Sequence, residues 1–75
     1  MKDFTGFQHV TAIGRSLVDA SQNCLDDQAV TFEGIVRFEI QSARRTSSAV
    51  RVNIKGHEGE MWEEWEFYVY AHSVL

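Results

Sequence analysis

Apolar residues in the first third of the chain recur at helical spacing, and beyond residue 30 they recur at every second position. Phe7, Val10, Ile13, Leu17, Ala20 and Cys24 follow steps of 3, 3, 4, 3 and 4. At about 100° per residue these fall on one stripe, which Val18 and Leu25 widen. The stripe predicts an amphipathic helix over about residues 4–25, with Asp3 or Thr5 as its cap. Two features oppose a single helix. Gly14 costs a helix interior about 1 kcal/mol relative to alanine. Asp26 and Asp27 suit a helix C-terminus poorly, because the dipole there favours cations, so the helix is expected to stop before them. The same segment also reads as a short strand over 7–13, a turn at Gly14 and Arg15, and a shorter helix over 17–25 capped by Ser16.

After Asp27 the period becomes two. Val30, Phe32, Val36, Phe38 and Ile40 share one face with Gly34, while Thr31, Glu33, Arg37, Glu39 and Gln41 take the other with Ile35. This predicts a first strand of the sheet. Residues 43–48, Ala-Arg-Arg-Thr-Ser-Ser, are polar and read as a loop. Val50, Val52 and Ile54 alternate with Arg51, Asn53 and Lys55 as a second strand, and 56–59 forms a glycine-flanked turn before a third strand over 61–70. Arg51 and Lys55 would sit best between the two glutamate-bearing strands, since opposite charges facing across strands contribute roughly 0.2–1 kcal/mol per pair. The expected fold is one α+β domain over residues 1–75: an N-terminal amphipathic helix packed on a three-stranded antiparallel β-meander. The alternative adds the short N-terminal strand before the helix, giving the order βαβββ.

The third strand departs from the alternation of a sheet with one wet face. Trp65, Phe67 and Val69 lie on one side, while Trp62, Tyr68 and Tyr70 lie on the other among Glu64 and Glu66. A lone helix covers one side of a sheet, so the second aromatic side is expected to meet another molecule. Trp62, Glu64, Glu66, Tyr68 and Tyr70 are the candidate partner-binding residues, with His72 nearby; the bland reading is that they pack against a loop of their own chain.

Composition sharpens this picture. The chain has 75 residues, and a domain of that size buries only about 60% of its unfolded surface, so association is a common support. A single cysteine, Cys24, leaves no intrachain disulfide and no paired-cysteine zinc motif. Eleven acidic against seven basic residues leave a net charge of −4. That balance argues against direct nucleic-acid binding, which draws on a basic stripe. Arg44 and Arg45 read as a solvated hairpin tip. No apolar run reaches membrane-span length and the N-terminus does not have the layout of a signal peptide, so the expectation is a cytoplasmic protein without membrane contact.

Catalytic chemistry has little to stand on. His57, Glu58 and Glu60 lie close in sequence and include types that hold divalent metal, yet a glycine-flanked turn is polar in any case and no further ligand is apparent. Cys24 with His9 or His72 as base would make a nucleophile, but Cys24 falls on the apolar stripe, where cysteine behaves as a small hydrophobe. No glutamate pair is marked for acid–base work. The expectation is no enzyme, no metal site and no cofactor.

The function expected from these residues is that of a small acidic binding module acting on a protein partner, or on itself as a homodimer, through the aromatic and acidic sheet face. In size, acidity and lack of motifs the chain resembles the small phage-encoded inhibitors of host defence, including anti-CRISPR proteins, some of which present carboxylates to basic nucleic-acid channels. That resemblance implies a role for Glu64 and Glu66 as phosphate mimics. The alternative is an oligomeric binder of a flat ligand. A helix on a three-stranded sheet with a strand tryptophan is similar in outline to dodecins, which hold flavins between aromatic side chains, although the first strand of that family is not evident in this sequence.

Overall fold

The computed structural model describes residues 5–74, and the fold is α+β. Strand β1 (Thr5–Gly14) leads into helix α1 (Leu17–Thr31), followed by the long strand β2 (Val36–Arg51) and strand β3 (Met61–Ser73). The three strands form one sheet in the order β1-β3-β2, with β3 antiparallel to both neighbours. β1 and β2 therefore run parallel to each other, joined through α1, with β3 inserted between them. Of the two expected caps of a helix over 4–25, Asp3 lies outside the described residues, as does residue 4, and Thr5 opens β1 rather than a helix.

The N-terminal third follows the strand-then-helix reading. Gly14 ends β1, where a Cβ would collide with the backbone of Ala20. The glycine that counted against a long helix is thus the point at which helix and strand approach most closely. Ser16 starts α1: its backbone is extended and its hydroxyl accepts from the Asp19 amide at 3.3 Å. The Asp19 carboxylate reaches back to accept from the Arg15 amide at 2.8 Å, so two otherwise orphaned donors are satisfied in one turn.

The helix does not stop before Asp26 and Asp27 but runs on to Thr31. These aspartates lie more than a turn's start away from the true end, and Asp26 accepts from Gln22 at 2.9 Å. Termination comes instead at Gly34, which takes φ +74° and donates to the Ala29 carbonyl at 2.9 Å. Val30 and Phe32, assigned to a strand by their spacing, belong to the helix end. The buried residues of α1, Ala20 and Cys24, both belong to the predicted stripe, whereas Leu17 and Val18 at its start stay exposed, Val18 at 79%.

Residues 43–48 are not a loop. They continue β2, which pairs with β3 from Val36 to Arg51 with register irregularities after Ile40, Arg45 and Ser47. The expected second strand at 50–54 is split between the end of β2 and the connection to β3. That connection is held by Val52 and Glu60, whose backbones bond at 3.0 Å, and by Gly59 donating to Val52 at 2.9 Å. β3, not the segment with Arg51 and Lys55, is the central strand. The electrostatic logic survives with other partners: the acidic strand is flanked by Arg44 and Arg45 on β2 and by His9 on β1.

The core lies between α1 and one face of the sheet. Ala12, Ala20, Cys24, Phe67 and Val69 form its centre, with Val10, Phe38, Ile40 and Trp65 packed around them. Among the described residues no helix is long and apolar enough to cross a membrane.

Candidate functional site: the open face of the sheet

Alternation decides which side chains face away from α1. Residues 6, 8, 10, 12 and 14 of β1 turn toward the helix, so Phe7 and His9 turn the other way. On β3, Phe67, Val69 and Ala71 are fully buried, which sends Glu66, Tyr68, Tyr70 and His72 to the opposite face. The register sets these groups side by side: Phe7 opposite Tyr70 and His9 opposite Tyr68.

The outcome is a band of rings across two strands. Phe7 and Tyr70 meet edge to face with centroids 5.1 Å apart; His9 lies 4.9 Å from Tyr68, and Tyr70 6.0 Å from His72. Phe7 is 73% exposed and Tyr68 50% exposed. Tyr70 and His72 are half-buried beside them.

Beside it stands a charged cluster. The Arg44 guanidinium donates to Glu66 at 2.6 Å and the His9 ring contacts the other carboxylate oxygen at 3.1 Å. Arg44, with His9 second, holds the Glu66 carboxyl below its ordinary range, and Glu66 in turn raises Arg44. Glu64 accepts from the Thr46 hydroxyl at 2.9 Å, and Glu63 meets Arg45 at 3.5 Å. The carboxylates of β3 are thus largely engaged by their own sheet. The face is aromatic, with Glu66 paired to Arg44 and Glu64 hydrogen-bonded to Thr46, rather than a bare acidic plate.

The five residues singled out from sequence do not stay together. Glu64, Glu66, Tyr68 and Tyr70 share the open face. Trp62 leaves it: the indole is 5% exposed, lies 5.4 Å from the His57 ring and donates to Glu60 at 3.1 Å. Trp65 packs against the core. Phe7, His9 and Arg44 join the site without having been singled out. The signal available for Phe7 and His9 was the alternation of residues 7–13 under the strand reading; nothing local marks Arg44 as the partner of Glu66.

The remaining candidates for chemistry are occupied by structure. His57 contacts Glu60 at 2.9 Å and Gly56 donates to Glu58 at 3.0 Å, which braces the β2–β3 connection. Among the described residues no cluster of three or more metal-ligating side chains forms. Cys24 is 1% exposed, and burial pushes its thiol up, away from the thiolate that nucleophilic attack needs. No family model matches the chain, and neither a curated protein nor a solved structure matches it.

Proposed function

We propose that this chain is a non-catalytic binding module that assembles with further copies of itself through the open sheet face and takes a flat aromatic ligand there. The observation that carries this reading is the uncovered ring band of Phe7, His9, Tyr68 and Tyr70, on a chain whose single helix is spent on the other face. Aromatic side chains bury large area at little conformational cost and are concentrated where proteins bind. Apolar exposure also occurs elsewhere, at Leu17, Val18 and Val30 on α1 and at Met61 on β3. A chain with a thin core and several such places is served by more than one interface.

The element order supports the flat ligand. A strand precedes the helix, so the outline similar to dodecins is complete at its N-terminus. Neither tryptophan stands on the open face, so stacking would fall to Phe7, Tyr68 and Tyr70. Native mass and riboflavin titration test this together. The expected results are a multiple of the chain mass and quenching of flavin fluorescence, both lost in a variant carrying Phe7→Ser and Tyr68→Ser. A monomer at all concentrations that leaves riboflavin fluorescence unchanged would remove the reading.

Capture of a foreign protein partner, the inhibitor role, is the second reading, favoured by the net charge of −4. Its phosphate-mimic form has less support, because Glu66 is already paired with Arg44. If carboxylates carry recognition, Glu64→Lys with Glu66→Lys abolishes partner capture while the far-UV circular dichroism of the fold is retained. A reducing compartment such as the cytosol suits the one buried thiol.

A further inference from the structure

The sheet ends on β2, whose outer edge pairs with no strand among the described residues. Its opening stretch, Val36–Ile40, keeps an unbroken register with β3, and the first irregularity comes after it. One bond fixes the main-chain direction along this stretch. The Val74 amide donates to the Ile35 carbonyl at 3.0 Å, and these two residues extend the register in which Val36 faces Ser73. Antiparallel ladders alternate between bonded and non-bonded pairs, so Ile35, Arg37 and Glu39 turn their main-chain groups toward β3. Val36, Phe38 and Ile40 turn theirs outward, each with a donor and an acceptor on the free edge.

Side chains on the same stretch are complementary to themselves. Val36, Phe38 and Ile40 lie on the helix side, Val36 buried and the other two half-buried. Arg37 and Glu39 lie on the open face and are exposed, and neither side chain has a hydrogen bond or ion pair among the described residues. A second copy laid antiparallel along this edge must set outward-turned residues opposite outward-turned residues, which leaves few registers. Val36 opposite Phe38 brings Arg37 against Arg37, and Phe38 opposite Ile40 brings Glu39 against Glu39. Phe38 opposite Phe38 brings each Arg37 against a Glu39 about one two-fold axis, with Val36 facing Ile40 on the helix side. The charged pairs then occupy the non-bonded positions, where facing side chains approach closest. β1, the other edge, offers no such match, because its one ionisable side chain, His9, is engaged by Glu66.

We infer that two copies of this chain join edge to edge along Val36–Ile40, antiparallel with Phe38 opposite Phe38. The two sheets become one, and Arg37 of each copy meets Glu39 of the other. The contact is small beside what association costs, so it registers copies that the ring band gathers, and in that respect it rests on the self-assembly reading.

Disulfide trapping reads the register. Full chains carrying Arg37→Cys or Glu39→Cys, each with native circular dichroism, are mixed in equal amounts and treated with oxidised glutathione; Cys24 is buried and does not compete. The mixed disulfide is expected at least tenfold above either self-disulfide, because position 37 faces 39 while like positions lie diagonally, beyond disulfide reach. A statistical mixture, an excess of self-disulfides, or no interchain disulfide overturns the inference. Native mass and riboflavin quenching of the unsubstituted chain separate the two readings. A flavin-quenching multimer without the selectivity loses the edge register alone. Selectivity in a chain that leaves riboflavin unchanged keeps the register and loses the ring-band ligand.

Discussion

On the helix side of the sheet, Phe67, Val69 and Ala71 expose none of their surface; one position along the same strand, Tyr68 keeps half of its surface in solvent. Both faces of β3 are rich in apolar atoms, and the difference is wholly one of cover. α1 sits over β1 and the centre of β3, anchored where Gly14 admits the Ala20 backbone and where Asn23 bonds the Ile13 carbonyl. No second layer exists among the described residues for the other face. The two faces therefore differ in cover: one holds the chain folded, and the other keeps aromatic rings in solvent.

Substitutions separate the faces by size of effect. Phe67→Ala empties the centre of the core and should lower unfolding free energy by about 3–5 kcal/mol in a denaturant titration. A smaller loss would mean that the helix side is packed more loosely than its burial indicates. Gly14→Ala presses a methyl against the Ala20 backbone, and a loss of about 1–3 kcal/mol is expected. An unchanged midpoint would show that α1 shifts freely over the sheet.

On the open face the expected balance reverses. Phe7→Ser with Tyr68→Ser removes cross-strand ring contacts that contribute only about 0.2–1 kcal/mol each. The larger readout is assembly: native mass falls to that of one chain and the melting temperature loses its dependence on protein concentration. Retention of the wild-type mass would assign self-association to another surface. The smallest effect concerns acid. Glu66, held down by Arg44 and His9, Asp19, held down chiefly by the Arg15 amide, and Glu60, held down by Trp62 and His57, all have lowered carboxyl values. Lowered values favour the fold above the ordinary carboxylate range near pH 4.5 and lose that contribution as pH falls through the lowered values. A shallow fall in thermal midpoint below pH 4.5 is expected, made shallower by Arg44→Ala; a midpoint independent of pH there would show that these pairs do not persist in solution.

How far these features could be read from the chain varies by residue. Ser16 and the Gly14–Arg15 turn were visible because capping and turn chemistry act within a few residues. Asp26 and Asp27 misplaced the helix end because the stop signal that operates is Gly34, several residues on. Residues 43–48 show no apolar alternation, yet they are strand: their pairing is made by backbone and by Arg44, Arg45 and Thr46 reaching glutamates on β3. Trp62 looked like a neighbour of Tyr68 by parity, but the connection carrying Val52 and His57 folds over it.

The linear order of residues by itself determined an α+β chain, strands of period two and a β3 with rings on both sides, and it left a helix begun at Ser16 as one of two readings. These follow from propensity, capping and alternation, which act over one or two turns of backbone. Tertiary structure alone decided that β3 lies at the centre, that Glu66 is neutralised, that Trp62 tucks beneath the β2–β3 connection and that Phe7 and His9 join the open face. Each of those outcomes depends on contacts between segments distant along the chain, and no local period encodes which partner a strand or a carboxylate will meet.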